Sequence, residues 1–206
     1  MRKPESMADQ PQDPRESSRS SPPQSSPAML REIYEQPHAL RETIRRNVDG
    51  NTIFPAAFQS TGSDFSRVKK IIIAASGSSR NAGLAGEIMM EDLADVAVDV
   101  EYSSEYGLRS SHANADSLVI VITQSGETAD TIAAQREALN RGAKTVAISN
   151  VADSTIAREA NATLITYAAP ECAVPATKSF TAQLAVLYLF ALFLARERGR
   201  ISPQVA

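Results

Sequence analysis

The chain predicts an α/β fold, a three-layer α-β-α sandwich on a five-stranded parallel sheet. Three observations carry this. Short apolar runs alternate with helical patterns from residue 68 onward. Leu118-Val119-Ile120-Val121-Ile122 and Ile71-Ile72-Ile73 are too short for helices and rich in β-branched residues, as strands buried on both faces are. Each run is followed by a turn and then a helix, the order that yields parallel strands covered on both sides.

Residues 1–28 are Pro, Ser, Gln, Asp and Arg with almost nothing apolar, so nothing offsets the entropy of folding. They predict a disordered tail. A helical pattern opens at Met29, with Met29, Ile33, Leu40, Ile44 and Val48 near one face. Pro37 is expected to interrupt it and start a second helix. Gly50-Asn51 ends it, and 51–67 reads as a connection whose Ile53, Phe54 and Phe58 pack on the domain. The organisation is thus a tail (1–28), entry helices and connection (29–67), and a main domain (68–200).

Within that domain the expected strands are 68–75, 97–102, 117–122, 144–150 and 163–167. The expected helices are 81–93, with Leu84, Ile88 and Leu93 inward, 131–141, with Ile132 and Leu139 on one face and Gln135 on another, 154–160 and 177–198. A short helical turn is expected at 103–108.

The totals exclude several functions. A net charge of −3 and a pI near 5.5 argue against nucleic-acid binding, and the 5% aromatic content leaves little for base stacking. No apolar run reaches membrane-span length, and no secretory signal stands at the start. One cysteine, Cys172, fits a reducing cytosol and a buried thiol. No His/Cys/Asp spacing suggests a metal.

The chemistry gathers at the carboxyl end of the 117–122 strand, where ligands of such sheets collect. Thr123-Gln124-Ser125-Gly126-Glu127-Thr128 joins that strand to a helix. Free N–H groups and the positive end of the helix dipole favour an anion there, most often a phosphate. Ser and Thr are also ordinary helix caps, so the same residues suit a junction with no ligand. Gly126 is expected to let the backbone approach the anion. A dinucleotide site is weak, because Ser79 stands where the second glycine of G-x-G-x-x-G belongs; Thr177-Lys178-Ser179 ends like a P-loop but lacks its glycines. Two Ser/Thr turns holding one phosphate is the third arrangement.

That arrangement resembles the sugar isomerase (SIS) family. The resemblance rests on 75–79 (Ala-Ser-Gly-Ser-Ser), on 123–131, on 171–181 and on the opening Met29-Leu30-Arg31-Glu32-Ile33-Tyr34-Glu35-Gln36-Pro37, and spans about 29–198. Val98-Asp99-Val100-Glu101 and Ser104-Glu105-Tyr106 add to it. More narrowly, the chain is similar to the first SIS half of the isomerase part of the glutamine–fructose-6-phosphate aminotransferases, the glucosamine-6-phosphate synthases. The resemblance implies a SIS fold and phosphosugar binding by Ser79, Thr123, Gln124, Ser125 and Thr128. Gly77 and Ser78 would shape the same pocket and Val174 would stand beside the sugar. Thr123 replaces a serine of the family, Ser76 a cysteine, Pro175 an alanine, and Ala176 a serine that contacts the sugar.

The resemblance implies no cofactor, a hexose phosphate as ligand, a cytoplasmic location, and a homodimer or pairing with a second SIS half. In the synthases that second half carries the general base, a ring-opening histidine and a lysine, and a glutaminase domain precedes both halves. The main expectation is therefore half of a synthase-like or aminosugar-phosphate deaminase-like enzyme. The alternative is a non-catalytic phosphosugar-binding module. No catalytic residue is assigned. Glu127 and Asp130 suit the helix dipole, His38 and His112 stand among polar neighbours, and Lys178 could cap carbonyls or touch substrate.

Overall fold

A computed structural model describes residues 22–55, 57–58, 65–108 and 113–202. Most of the expected tail, and His112, lie outside these residues.

Helix α1 (Ala28–Asn47) is one helix with Pro37 inside it, not two. Its inward side is largely polar. Glu32, Ala39, Thr43 and Asn47 are buried, while Met29, Leu30, Ile33, Tyr34 and Ile44 are exposed. The apolar periodicity marked a face of the helix correctly, but the domain takes the polar one. Asn47 Nδ2 donates to the Ile165 carbonyl (2.8 Å), and Thr43 Oγ1 donates to the carbonyls of Ala39 (2.7 Å) and Thr166. After α1 a two-strand hairpin, β1 (Val48–Asp49) and β2 (Thr52–Ile53), turns through Gly50 at φ +55°. Ile53 and Phe54 are buried, and Phe58 stacks on Phe193 with ring centroids 4.7 Å apart, so this connection packs on the domain as expected.

The main sheet follows: β3 (Lys70–Ala75), helix α2 (Gly77–Ala94), β4 (Ala97–Tyr102), helix α3 (Ser103–Tyr106), β5 (Ser117–Ile122), helix α4 (Ala129–Asn140), β6 (Lys144–Ser149), helix α5 (Thr155–Glu159), β7 (Ala162–Ile165) and helix α6 (Lys178–Glu197). The five strands are parallel in the order β4-β3-β5-β6-β7. Alternate residues serve opposite faces, as the period of a strand requires. Ile71, Ile73, Leu118 and Ile120 join the core under α2 and α6; Ile72, Ala74, Val119 and Val121 join the core under α4 and α5. With helices on both faces, the three layers are those expected.

Two helices pack differently from the sequence reading. On α2, Ala82, Gly83, Gly86 and Met90 are inward, while Leu84 and Ile88 are exposed. A Cβ on Gly83 would stand 3.0 Å from Ile73, and one on Gly86 3.0 Å from Leu187, so small residues let α2 lie close to sheet and α6. On α4, Gln135 is fully buried rather than on a polar face; its Nε2 donates to the Ile156 carbonyl at 3.0 Å. Among the described residues α6 is the one helix long and apolar enough to cross a membrane, and it is largely buried in the core between α1, α2 and the sheet.

Candidate functional site

Strand β3 continues to β4 on one side and gives way to β5 on the other. The order of the sheet therefore reverses between β3 and β5, where a crevice opens beyond the carboxyl ends. A cavity of about 350 Å³ lies there, within the range of small-molecule sites. Its walls are the β3–α2 turn, the β5–α4 turn and the 171–179 segment that enters α6. Gly77, Ser78, Ser79, Thr123, Gln124, Ser125, Thr128 and Val174 all line it. Gly77–Ser79 and Thr123–Thr128, 44 to 51 positions apart in sequence, meet because β3 and β5 are hydrogen-bonded neighbours, with Ala75 level with Ile122.

Helix α2 begins at Gly77, four residues earlier than the periodicity predicts, so Gly77, Ser78 and Ser79 form its first turn. Gly77 has φ +58°, a left-handed conformation that glycine adopts at little cost. Neither α2 nor α4 has a side-chain cap, so their first N–H groups have no partner within the helix and open toward the cavity end. Helix α6 differs. Glu171 accepts from the N–H of Thr177 (2.8 Å), from Thr177 Oγ1 (3.0 Å) and from the Ser179 hydroxyl, and so closes that third helix start.

The hydroxyl protons follow from these bonds. Ser79 Oγ accepts from Gln183 Nε2 at 3.1 Å, and Ser125 Oγ accepts from the Glu127 N–H at 3.2 Å. Thr123 and Thr128 share one bond at 2.7 Å between their hydroxyls, which occupies one of their two protons. Each hydroxyl has a single proton to donate. Ser79, Ser125 and one of the two threonines are therefore left with O–H donors that no described residue accepts. Together with the open ends of α2 and α4, this is a site for an acceptor-rich anion. Among the described residues no Lys or Arg lines the cavity, and the one titratable lining residue is Glu171. Burial pushes the Glu171 carboxyl up, but the bonds from Ser179 and Thr177 outweigh it and hold the group below its usual range, as a carboxylate.

Other expected residues lie elsewhere. Gly126 is buried and not on the cavity; a Cβ there would stand 2.0 Å from Ser154 Oγ, so its φ of +73° serves packing against α5, not approach to an anion. Glu127 turns away and accepts from the Thr155 N–H at 2.8 Å, at the start of α5. That backbone bond, then the Thr155 hydroxyl, lowers its pKa. Asp130 is exposed in the first turn of α4, off the cavity. His38 is exposed on α1 and borders a neighbouring groove with Glu42 and Arg46. Lys178 is buried and paired with Glu35 of α1 at 2.5 Å, so it ties α6 to α1 and does not reach the cavity. Cys172 is exposed, against the expectation of a buried thiol, because its segment lies at the surface. Val174 lines the cavity but is fully exposed, at its rim.

Sequence reasoning missed three lining residues with defined roles: Glu171, Ser179 and Gln183. Glu171 had a usable signal, an acid a few residues ahead of Thr177 at a helix start. Gln183 had none, since a polar residue inside an apolar helix reads as surface.

A SIS domain model matches residues 64–193. The chain belongs to the SIS domain family. It is 43% identical over 175 residues to the glutamine–fructose-6-phosphate aminotransferase (isomerizing) of Caldanaerobacter subterraneus subsp. tengcongensis, a match covering 84% of this chain and 29% of the relative. It is 44% identical over 177 residues to the enzyme of that name from Methanosarcina acetivorans, covering 85% and 29%. Among solved structures, the C-terminal domain of glucosamine-fructose-6-phosphate aminotransferase from Francisella tularensis superposes with a TM-score of 0.81 at 35% identity, over 86% of this chain and 50% of that one. The chain thus spans less than a third of the curated relatives it matches, and half of the solved chain.

Proposed function

We propose that this SIS domain binds a hexose 6-phosphate, with the phosphoryl group held by Ser79, Thr123, Gln124, Ser125 and Thr128, with Gly77 and Ser78 shaping the pocket, and Val174 at the sugar side. The observation that carries this reading is the set of unaccepted hydroxyl protons facing two open helix starts in one cavity. The names of the relatives, which specify fructose 6-phosphate, support the ligand class. A cytoplasmic location goes with it, since that is where hexose phosphates circulate.

In this reading the chain supplies the phosphosugar pocket of a synthase-like or deaminase-like enzyme and works in a pair, as a homodimer or with a second SIS half. The exposed apolar strip on α1 supports such pairing. The non-catalytic module remains the second reading, and one observation favours it: Glu171, the cavity's titratable lining residue, is committed to Thr177 and Ser179. Residues 1–28 are proposed as a tail outside the domain, save Ala28, which opens α1.

Calorimetry tests the pocket. Fructose 6-phosphate or glucose 6-phosphate should bind, and unphosphorylated fructose should not. Ser125→Ala and Thr128→Ala should each weaken binding by about 1.5–3 kcal/mol, roughly ten- to hundredfold, as expected for a lost bond to a charged acceptor. No heat with either hexose phosphate would overturn the reading. Binding without turnover in a coupled assay of the chain alone would select the module; turnover would show that a base not assigned above takes part.

A further inference from the structure

The amide of Gln183 stands at the inner end of the cavity on α6, 2% exposed. Its Nε2 donates to Ser79 Oγ across 3.1 Å. Its Oε1 is buried and has no hydrogen-bond partner among the described residues. A buried acceptor left empty is costly in a folded protein. Gln183 is also surrounded along α6 by apolar neighbours, since Ala182, Val186 and Leu187 are fully buried. A leucine or methionine would satisfy that core without the unmet oxygen. The amide therefore has a use that packing does not supply.

The use follows from proton direction. A serine hydroxyl beside an anion is useful only if its proton points outward. Left alone, the Ser79 hydroxyl could turn to any nearby acceptor. With an N–H already donated to its oxygen, the Ser79 oxygen is an acceptor toward α6, and its own proton is directed into the cavity.

Resting on the phosphosugar reading above, we propose that Gln183 is a positioning residue: it makes Ser79 a one-way donor to the phosphoryl group, and its free Oε1 accepts an O–H that enters with the ligand. The Gln183 Oε1 does not itself bond the phosphoryl oxygens, because one acceptor facing another is repelled.

Three variants test this by calorimetry with fructose 6-phosphate, on the full chain. Gln183→Met keeps the volume and removes the donor; it should weaken binding about tenfold, the scale of one oriented hydrogen bond to a charged group. In a Ser79→Ala background the same change should alter affinity by less than about twofold, because no hydroxyl remains to be oriented. Gln183→Glu keeps the shape but reverses the bond, since a carboxylate accepts the Ser79 proton. It should weaken binding about a hundredfold near pH 8, and the loss relative to the wild type should shrink toward about pH 5, where a buried carboxyl is protonated and donates again. Glu171, a titratable lining group that would couple to a carboxylate at 183, is removed from the comparison by carrying Glu171→Gln in both proteins. Thermal melts of each variant monitor folding.

Additive losses in Gln183→Met and Ser79→Ala, or a Gln183→Glu deficit that is flat with pH, would assign Gln183 a purely structural role and overturn the proposal. Failure of the wild type itself to bind any hexose phosphate would instead overturn the phosphosugar reading, so the two failures are distinguishable.

Discussion

Glu171 touches the cavity yet spends its oxygens on the start of α6. It accepts from Thr177 and Ser179 through backbone and hydroxyl donors. A carboxylate at a helix amino terminus is favoured by the dipole as well as by those bonds. Burial raises its pKa and the hydrogen bonds lower it by more, so the folded value lies below the ordinary 4.5. The sign for stability follows. A depressed folded pKa adds stability above the unfolded value, and that contribution is lost as pH falls through the folded one. Melting temperatures of the wild type and Glu171→Gln should therefore differ most above pH 4.5 and converge in stronger acid, the wild type being the more stable at neutral pH. Equal melting curves at neutral pH would mean that the Glu171 bonds contribute nothing. Ser79, Ser125, Thr123 and Thr128 show the same point in a different form: what each hydroxyl can do for a ligand depends on which protein atom has already used it.

Helix α1 sets the position of the cavity's third wall. Glu32, 4% exposed, accepts from the N–H groups of Cys172 (2.6 Å) and Ala173 (3.2 Å), and Gln36 accepts from Thr181 Oγ1 at 2.5 Å. With the Lys178–Glu35 pair these contacts fasten residues 171–181 to α1. Polar contacts, not Met29, Ile33 or Ile44, which are exposed, make this junction. Glu32→Ala should leave two backbone donors unmet at a cost of about 1–3 kcal/mol, a fall of roughly 3–10 °C in Tm for a domain of this size. It should also weaken hexose-phosphate binding, because the 171–179 wall loses its anchor. A melting temperature unchanged by the substitution, in differential scanning calorimetry, would contradict this role.

At the scale of the whole molecule, α1 presents Met29, Leu30, Ile33, Tyr34 and Ile44 outward, while its polar face serves the domain. An apolar strip of this kind marks an interaction surface more often than a solvent face. We expect the chain to sediment as a homodimer, or as a complex when a second SIS half is added. Replacing Ile33 and Ile44 together by lysine should yield a monomer that keeps its fold, since neither side chain is buried. A wild-type chain that stays monomeric at micromolar concentration with a second SIS half present would refute the pairing.

Much of this was legible in the order of residues. The short apolar runs, their β-branched residues and the turn after each strand placed all five sheet strands, two of them with their bounds unchanged at Ala97–Tyr102 and Ser117–Ile122. Eight of the residues that line the cavity were legible through the family resemblance, and the sheet and the 171–179 segment bring them together. Three of the features that were not legible share one physical reason: each depends on a partner distant in sequence. The inward face of α1 is chosen by the carbonyls of Ile165 and Thr166 and by the N–H groups of Cys172 and Ala173. The tight seat of Gly126 is chosen by Ser154, and the direction of the Ser79 proton by Gln183, 104 positions away. Local periodicity determines which elements form and which side chains share a face; only packing decides which face is buried, and which hydrogen bonds are left open for a ligand.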